Sequence, residues 1–278
     1  MNEDRNCWDA KTYDEVSQLV QYRWGQQILE WRKWSGDETV MDAGCGSGLL
    51  TKLLAQKVPR GKVYGVDIDS NMIKQARRNL KGLENIELVQ SHVAEVKLPT
   101  KLDVIFSNAA LHWVHDHARV FQHFWEMLKH DSNKQAQLLI QCGGYGNLRR
   151  ILTLLHRVMG LNEFREYFGN MNCPWYFATP EDTRILLEKI GYINTKVHLH
   201  NEHVILTRET YSRFVKTVIL KPFLEHLPDD KIRNRYLRLF LDEVGKRNTS
   251  SKKPPTPWSL DYVRLNIIAD KPQSRCIQ

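Results

Sequence analysis

The chain has 278 residues, with 40 Lys and Arg against 32 Asp and Glu, and a formal charge of +8 at pH 7. At 42% hydrophobic and 26% charged it reads as an ordinary globular protein, long enough for one large α/β domain with an added cap or for two small domains. No apolar run reaches membrane-spanning length, and the polar start Met1-Asn2-Glu3-Asp4-Arg5 lacks a signal-peptide pattern, so membrane insertion is not expected and the expected compartment is the cytoplasm.

The five cysteines (Cys7, Cys45, Cys142, Cys173 and Cys276) are scattered without metal or redox spacing. The cations are spread along the chain, and the one dense run, from Gly245 to Pro255, reads as a solvated loop. A nucleic-acid partner is therefore not expected, although a positive field also attracts small anions. His112, His115, His117 and His123 lack the carboxylate or cysteine partners of a metal centre, so no metal site is assigned.

In chain order, Val16, Leu19, Val20, Ile28 and Leu29 recur at three and four, which predicts an amphipathic helix from about Tyr13 to Trp34. Strands then read at Glu38–Asp42, Lys62–Asp67, Ile86–Gln90, Leu102–Asn108 and Ala136–Cys142. Helices between them read at Leu49–Lys57, Asn71–Lys81 and Arg119–Lys129. This alternation predicts an α/β fold, a doubly wound, mostly parallel seven-stranded sheet that binds ligands at the carboxyl ends of its strands. After Gly143-Gly144-Tyr145-Gly146 the rhythm turns helical, at Arg149–Met159 and Leu161–Phe168. Thr179 and Pro180 then make a helix start, with Thr179 as cap. A strand follows from Asn194 towards Ile205, then helices at Thr210–Leu220 and Asp229–Val244. A last strand at Tyr262–Ala269 fits a sheet edge. The expected organisation is a cofactor-binding core over 1–145 that includes the N-terminal helix. Residues 146–278 complete the sheet and form a helical substrate cap from roughly 146–178 and 207–258.

The most informative stretch is Thr39-Val40-Met41-Asp42-Ala43-Gly44-Cys45-Gly46-Ser47-Gly48, a strand ending in an acid and three alternate glycines before an apolar helix. Such a turn lets a ligand approach the backbone closely at a helix start. The next strand ends at Asp67, an acid placed to accept from a ribose hydroxyl. A dinucleotide site has the spacing G-x-G-x-x-G and needs no acid before it. A P-loop needs Lys-Ser/Thr after the last glycine, where this chain has Leu49 and Leu50. Asp42 suits a cationic ligand part.

This segment resembles the first motif of class I S-adenosylmethionine-dependent methyltransferases, and Gly65-Val66-Asp67-Ile68-Asp69-Ser70-Asn71-Met72 resembles their second. The run from Phe106 to His117, with Asn108-Ala109-Ala110-Leu111-His112-Trp113, narrows the likeness to small-molecule carboxyl methyltransferases. Those include the trans-aconitate and insect juvenile hormone acid enzymes. Trp8-Asp9-Ala10, Tyr13 and Arg23 fit the same group, and the likeness covers roughly residues 8 to 145.

The resemblance implies S-adenosylmethionine as cofactor. Asp42, Gly44, Cys45 and Gly46 should face its methionine part, Arg23 its carboxylate, Asp67 its ribose, and Ile68 and Met72 its adenine. His92 stands where many relatives carry an acid toward the adenine amino group, leaving Val93 to offer a backbone group, and Asn108 completes the cofactor set. Gln21 and Trp113 are the expected carboxylate-positioning residues, and Gln18, Tyr22, Trp175 and Phe214 the expected walls of the substrate pocket. Carboxylates are already ionised near pH 7, so no general base is required. The apolar side chains of the cap favour a lipophilic acid of the juvenile hormone acid or farnesoic acid type. A small polar acid such as trans-aconitate is the alternative, and a cofactor-binding scaffold without catalysis is a third reading. A homodimer is compatible with the sequence.

Overall fold

The computed structural model describes residues 21–130, 135–169, 171–249 and 258–273. Gln18, Trp8-Asp9-Ala10 and the predicted helix up to residue 20 lie outside the described residues. Within them the chain forms two compact units. Among the described residues, one contains 21–145, 175–200 and 264–273, and the other contains 146–174 and 201–263.

The first unit is built on a seven-stranded sheet. Helix α1 (Arg23–Leu29) precedes β1 (Thr39–Ala43), α2 (Leu49–Lys57), β2 (Lys62–Asp67), α3 (Ser70–Asn79) and β3 (Ile86–Gln90). Then come β4 (Val104–Asn108), a single tight turn of helix at Leu111–Trp113, α4 (His117–Met127) and β5 (Ala136–Gly143). The spatial order is β3-β2-β1-β4-β5-β7-β6, and β1 to β5 pair in parallel. The order reverses between β1 and β4, which opens a crevice where the loops after those two strands diverge.

Parallel strands covered on both faces must be apolar on both faces, and successive side chains alternate between them. Val40, Val63, Val104 and Leu139 face one layer, which contains Ile28 and Leu29 of α1 and Leu54 of α2. Met41, Tyr64, Ile105 and Leu138 face the other, which contains Phe121 and Phe124 of α4. Helices start where the sequence offers caps: Asp69 accepts from Asn71 and Met72 N–H, and Asp116 accepts from Arg119 N–H.

Helices α5 (Arg149–Met159) and α6 (Arg165–Phe168) follow, then α7 (Pro180–Ile190) in the sheet unit and β6 (Ile193–Leu206). The Thr179 side chain caps α7 by accepting from Asp182 N–H, as its sequence predicts. Helix α8 (Arg208–Phe214) continues into a wider turn at Val215–Ile219, where Leu220 N–H reaches back to the Val215 carbonyl at 2.7 Å. Pro222 explains this: it has no N–H to donate and its ring crowds the carbonyl four residues back. Helix α9 (Lys221–Leu224), α10 (Asp230–Thr249) and β7 (Trp258–Lys271) complete the chain.

Two expectations are corrected. The last strand is not a sheet edge: β7 lies between β5 and β6, antiparallel to β5 with Gly143 opposite Arg264, and Leu265, Ile267 and Ala269 are fully buried. The run from Gly245 is not all loop, because α10 extends to Thr249, with Lys246 paired to Glu243 at 2.8 Å one turn earlier.

The second unit has its own core. Leu155, Phe164, Phe214, Tyr236 and Phe240 are almost completely buried, and Tyr236 meets Phe164 edge-on at 5.1 Å. The Tyr236 hydroxyl donates to the Leu155 carbonyl at 3.4 Å, so its polar end is satisfied inside the apolar core.

Candidate active site

The turn after β1 is held by its own backbone. Gly44 and Cys45 N–H both donate to the Val66 carbonyl, at 2.8 and 2.9 Å, tying the glycine turn to the end of β2. Gly46 N–H then donates to Asp67 Oδ2 at 2.8 Å, and Asp69 N–H to Asp67 Oδ1 at 2.9 Å. Gly44 has φ +78° and Gly46 φ +54°, conformations that side chains with a Cβ rarely adopt. A Cβ on Gly44 would fall 2.2 Å from the Ala110 Cβ, whereas one on Gly46 would meet nothing within 4 Å. Gly44 therefore allows the loops after β1 and β4 to touch, and Gly46 leaves open space at the turn.

That space is part of a pocket lined by Gln21, Tyr22, Asp42, Gly44, Cys45, Gly46 and Asn108, with Ser47, Leu49 and Leu50 completing it. Asp42 is 2% exposed, and Thr51 Oγ1 donates to its Oδ2 at 2.7 Å. Burial pushes its carboxyl up to about 7, partly offset by the Thr51 hydrogen bond and reinforced by nearby Asp67. Burial likewise raises Asp67, against the lowering effect of the backbone N–H groups it accepts from. Cys45 is buried beside both acids and its thiol is pushed well above its ordinary range, so it stays protonated.

On the opposite wall Ser107 Oγ donates to the Ala43 carbonyl at 2.7 Å, locking β4 to β1. Asn108 Nδ2 donates to the Gln21 carbonyl at 3.0 Å, which fixes the start of α1 over the pocket. Its Oδ1 is buried and accepts from no group among the described residues. Ala109 then adopts φ +57°, and its N–H donates to the Gln141 carbonyl at 2.8 Å. A left-handed alanine costs energy that the surrounding structure must hold in place, and such strain clusters at functional sites. It turns the chain into the helical turn of Leu111–Trp113. There the Trp113 ring meets Trp175 edge-on at 5.5 Å, and Trp175 stacks on Phe177 at 6.0 Å.

His112 lies in the same turn. The Gly143 N–H donates to its Nδ1 at 3.2 Å, and its carbonyl accepts from Tyr176 N–H at 2.9 Å. Nearby, Arg264 is 1% exposed, its Nε donates to Gln141 Oε1 at 3.3 Å and its guanidinium lies 4.6 Å from the Trp24 ring. Gln141 Nε2 passes the chain on to Asn266 Oδ1 at 2.7 Å.

Of the residues named from sequence, the structure brings Gln21, Tyr22, Asp42, Gly44, Cys45, Gly46 and Asn108 into one pocket, with Asp67 bonded to its floor. Ile68 is 63% exposed beside that acid and Met72 is buried. Val93 is buried, and half-buried His92 accepts from Ala94 N–H through Nδ1. Arg23 is exposed at the start of α1 and is not among the lining residues. Trp175 is buried against Trp113 in the sheet unit, while Phe214 is fully buried in the other unit, edge-on to Tyr262. Sequence reasoning missed Leu49 and Leu50 as walls, although they open the helix that follows the glycines. It also missed Arg264 and Gln141, which carry no local motif.

These residues fit S-adenosylmethionine. Asn108 Oδ1, a buried acceptor with no partner among the described residues, and the buried Asp42 suit a cationic donor group such as an ammonium. Asp67 retains acceptor capacity for ribose hydroxyls, and the space beside Gly46 admits a ligand against the backbone.

Comparison with known proteins agrees. Residues 40–131 match the methyltransferase domain family. An uncharacterized methyltransferase of Schizosaccharomyces pombe is 26% identical over 95% of this chain and 98% of its own length. A trans-aconitate 2-methyltransferase of Acidovorax sp. is 24% identical over 84% of this chain and 86% of its own. Among solved structures, the YcgJ protein of Bacillus subtilis superposes with a TM-score of 0.60 at 14% identity, over 91% of this chain and all of that one. Phosphoethanolamine N-methyltransferase 2 of Haemonchus contortus, solved with S-adenosylhomocysteine, gives a TM-score of 0.58 at 14% identity, over 98% of this chain and 59% of that one. The fold is that of the Rossmann-like methyltransferases.

Proposed function

We propose that this S-adenosylmethionine-dependent methyltransferase esterifies a carboxylic acid, transferring the methyl group directly to a carboxylate oxygen. The observation that carries the reading is the turn after β4. It sets Asn108 on the cofactor pocket and places Trp113, with His112, beside an aromatic wall of Trp175 and Phe177. The bound cofactor supplies an electrophilic methyl group on a sulfonium. The chain's residues have to hold the carboxylate in line and keep water out. Because the transfer neutralises two opposite charges, neutral donors serve better than cations: a guanidinium on the carboxylate would stabilise the ground state more than the transition state. Gln21 and Trp113 are the residues we assign to that positioning, and Tyr22 and, from sequence alone, Gln18 are those we assign to the substrate pocket.

We further infer that the acid has an apolar body, with sesquiterpenoid acids such as juvenile hormone acid or farnesoic acid as first candidates. The Trp113–Trp175–Phe177 wall supports this, and Arg157, one cation that a polyacid site would recruit, is paired with Glu243 at 3.1 Å. The apolar residues of the second unit lend less support than their number suggests, since Leu155, Phe164 and Phe214 are buried in that unit's own core. The second reading, a polar acid such as trans-aconitate, is favoured by relatives of that name that align over most of the chain. A small-molecule substrate in a cytoplasmic setting, with no nucleic acid, is part of the same proposal. Among the described residues no helix is long and apolar enough to cross a membrane.

The test is incubation with methyl-labelled S-adenosylmethionine and a panel of farnesoic acid, juvenile hormone acid and trans-aconitate, with ester detection by mass spectrometry. Label in a lipophilic methyl ester is the expected result. Label only in trans-aconitate would select the second reading. Cofactor binding with no acid methylated would favour a scaffold.

A further inference from the structure

His112 stands apart from the other histidines near it. His117 Nε2–H donates to the Leu111 carbonyl at 3.0 Å, and His123 Nε2–H donates to the Val96 carbonyl at 2.8 Å, so both spend their protons on backbone. His112 does the reverse. It accepts from the Gly143 N–H through Nδ1, so the proton of its neutral ring must sit on Nε2. That Nε2–H has no acceptor among the described residues, although the ring is enclosed by Trp113 at 5.7 Å and Phe177 at 6.1 Å. The residue is only partly buried, so this N–H, fixed in direction beside an aromatic wall, is open to an acceptor on a bound ligand.

The turn holds this ring firmly. Trp113 N–H donates to the Ala110 carbonyl at 3.0 Å, and Tyr176 N–H donates to the His112 carbonyl itself. The left-handed Ala109 sets the turn three to five residues beyond Asn108, the pocket residue. Burial, with Arg264 and His117 close by, pushes the imidazole down to about 3, so the ring is neutral across the physiological range.

We propose that His112 Nε2–H is a positioning donor to the acceptor carboxylate, working beside Trp113 as part of the machinery that selects a carboxylic acid. The proposal rests on the carboxyl-methylation reading and deepens it. Its chemistry follows from the charge balance of the reaction. A neutral N–H orients the carboxylate without the over-stabilised ground state that an imidazolium would create. Arg264 then serves the site indirectly, by making the imidazolium unfavourable rather than by touching the substrate.

The test uses the full chain and whichever acid the wild type esterifies. His112→Leu removes the donor, while His112→Gln keeps an N–H near the Nε2 position. We expect the Leu variant to bind S-adenosylhomocysteine within about twofold of wild type. Its kcat/KM for the acid should fall on the order of 10- to 100-fold, the range for a hydrogen bond to a charged group. The Gln variant should stay within about threefold. In histidine-labelled protein saturated with S-adenosylhomocysteine, the acid should also move the His112 Hε2 resonance downfield. A Leu variant with wild-type kcat/KM, a Gln variant as impaired as Leu, or an unmoved Hε2 resonance with an active wild type would each overturn the proposal alone. A wild type that binds cofactor and esterifies no acid would remove the carboxyl reading and this proposal with it.

Discussion

Replacing Gly44 by Ala probes the contact between the two loops that build the site. Two costs are legible in the structure. Gly44 sits at φ +78°, where an L-residue with a Cβ pays about 1–2 kcal/mol. Its new Cβ would also lie 2.2 Å from the Ala110 Cβ, far inside van der Waals contact, and overpacking of this kind costs about 1–3 kcal/mol. Together they predict a loss of about 2–5 kcal/mol, measured as a shift in the urea midpoint at constant slope. Relaxation must push Ala110 away, and Ala110 is two residues from Asn108, so cofactor affinity should fall as well. The two costs separate in a double-mutant cycle. In an Ala110→Gly background the clash is gone and only the conformational cost remains, giving a coupling of about 1–3 kcal/mol and partial recovery of S-adenosylhomocysteine binding by calorimetry. Equal cost of Gly44→Ala in both backgrounds would show that the loops do not meet as described.

Cofactor binding should weaken as pH falls. Asp42 titrates near 7 in the ligand-free protein, so a cation binding beside it favours the ionised form and displaces a proton below that pH. Affinity should rise with pH up to about 7 and level off above; calorimetry near pH 6 in buffers of different ionisation enthalpy should detect proton release, and none would contradict the placement. The stability effect has the opposite sense: with its native pKa above the unfolded value of 3.8, Asp42 binds more protons in the folded state, so its contribution to stability declines as pH rises from about 4 to 7. Asp67→Ala should weaken cofactor binding by about 1.5–3 kcal/mol, the worth of hydrogen bonds to a charged acceptor, and unchanged affinity would remove its ribose role. Phe214→Ala should lower stability by about 3–5 kcal/mol because the ring is fully buried against Tyr262; a stable variant altered only in KM for the acid would mean that the ring serves the substrate instead of the core.

Much of the sheet unit is legible in sequence because its determinants are local. The apolar runs of β1, β2 and β3, the glycines of the turn after β1 and the cap Thr179-Pro180 each specify a backbone conformation within a few residues. The pocket lining is legible for the same reason, since Asp42, Gly44, Cys45 and Gly46 are neighbours in the chain and Asn108 ends an adjacent parallel strand. Where local pattern was read too simply, it misled. Gly245 and the cations after it look like loop, yet α10 continues to Thr249. The apolar side chains of the second unit look like a substrate chamber, but Phe164 and Phe214 are buried as its core.

What only the tertiary structure decided comes from long-range pairing. The chain's last strand inserts beside β5 rather than at an edge, and that register sets Arg264 opposite Gly143, whose N–H orients the His112 ring. No window of sequence contains that contact, because Arg264 and Gly143 stand 121 positions apart in the chain. The sequence by itself determined a glycine turn, two acids and hence a cofactor. The choice of His112 tautomer, the near-neutral titration of Asp42 and the close approach of Gly44 to Ala110 are set by burial and packing, which exist only once the strands are assembled.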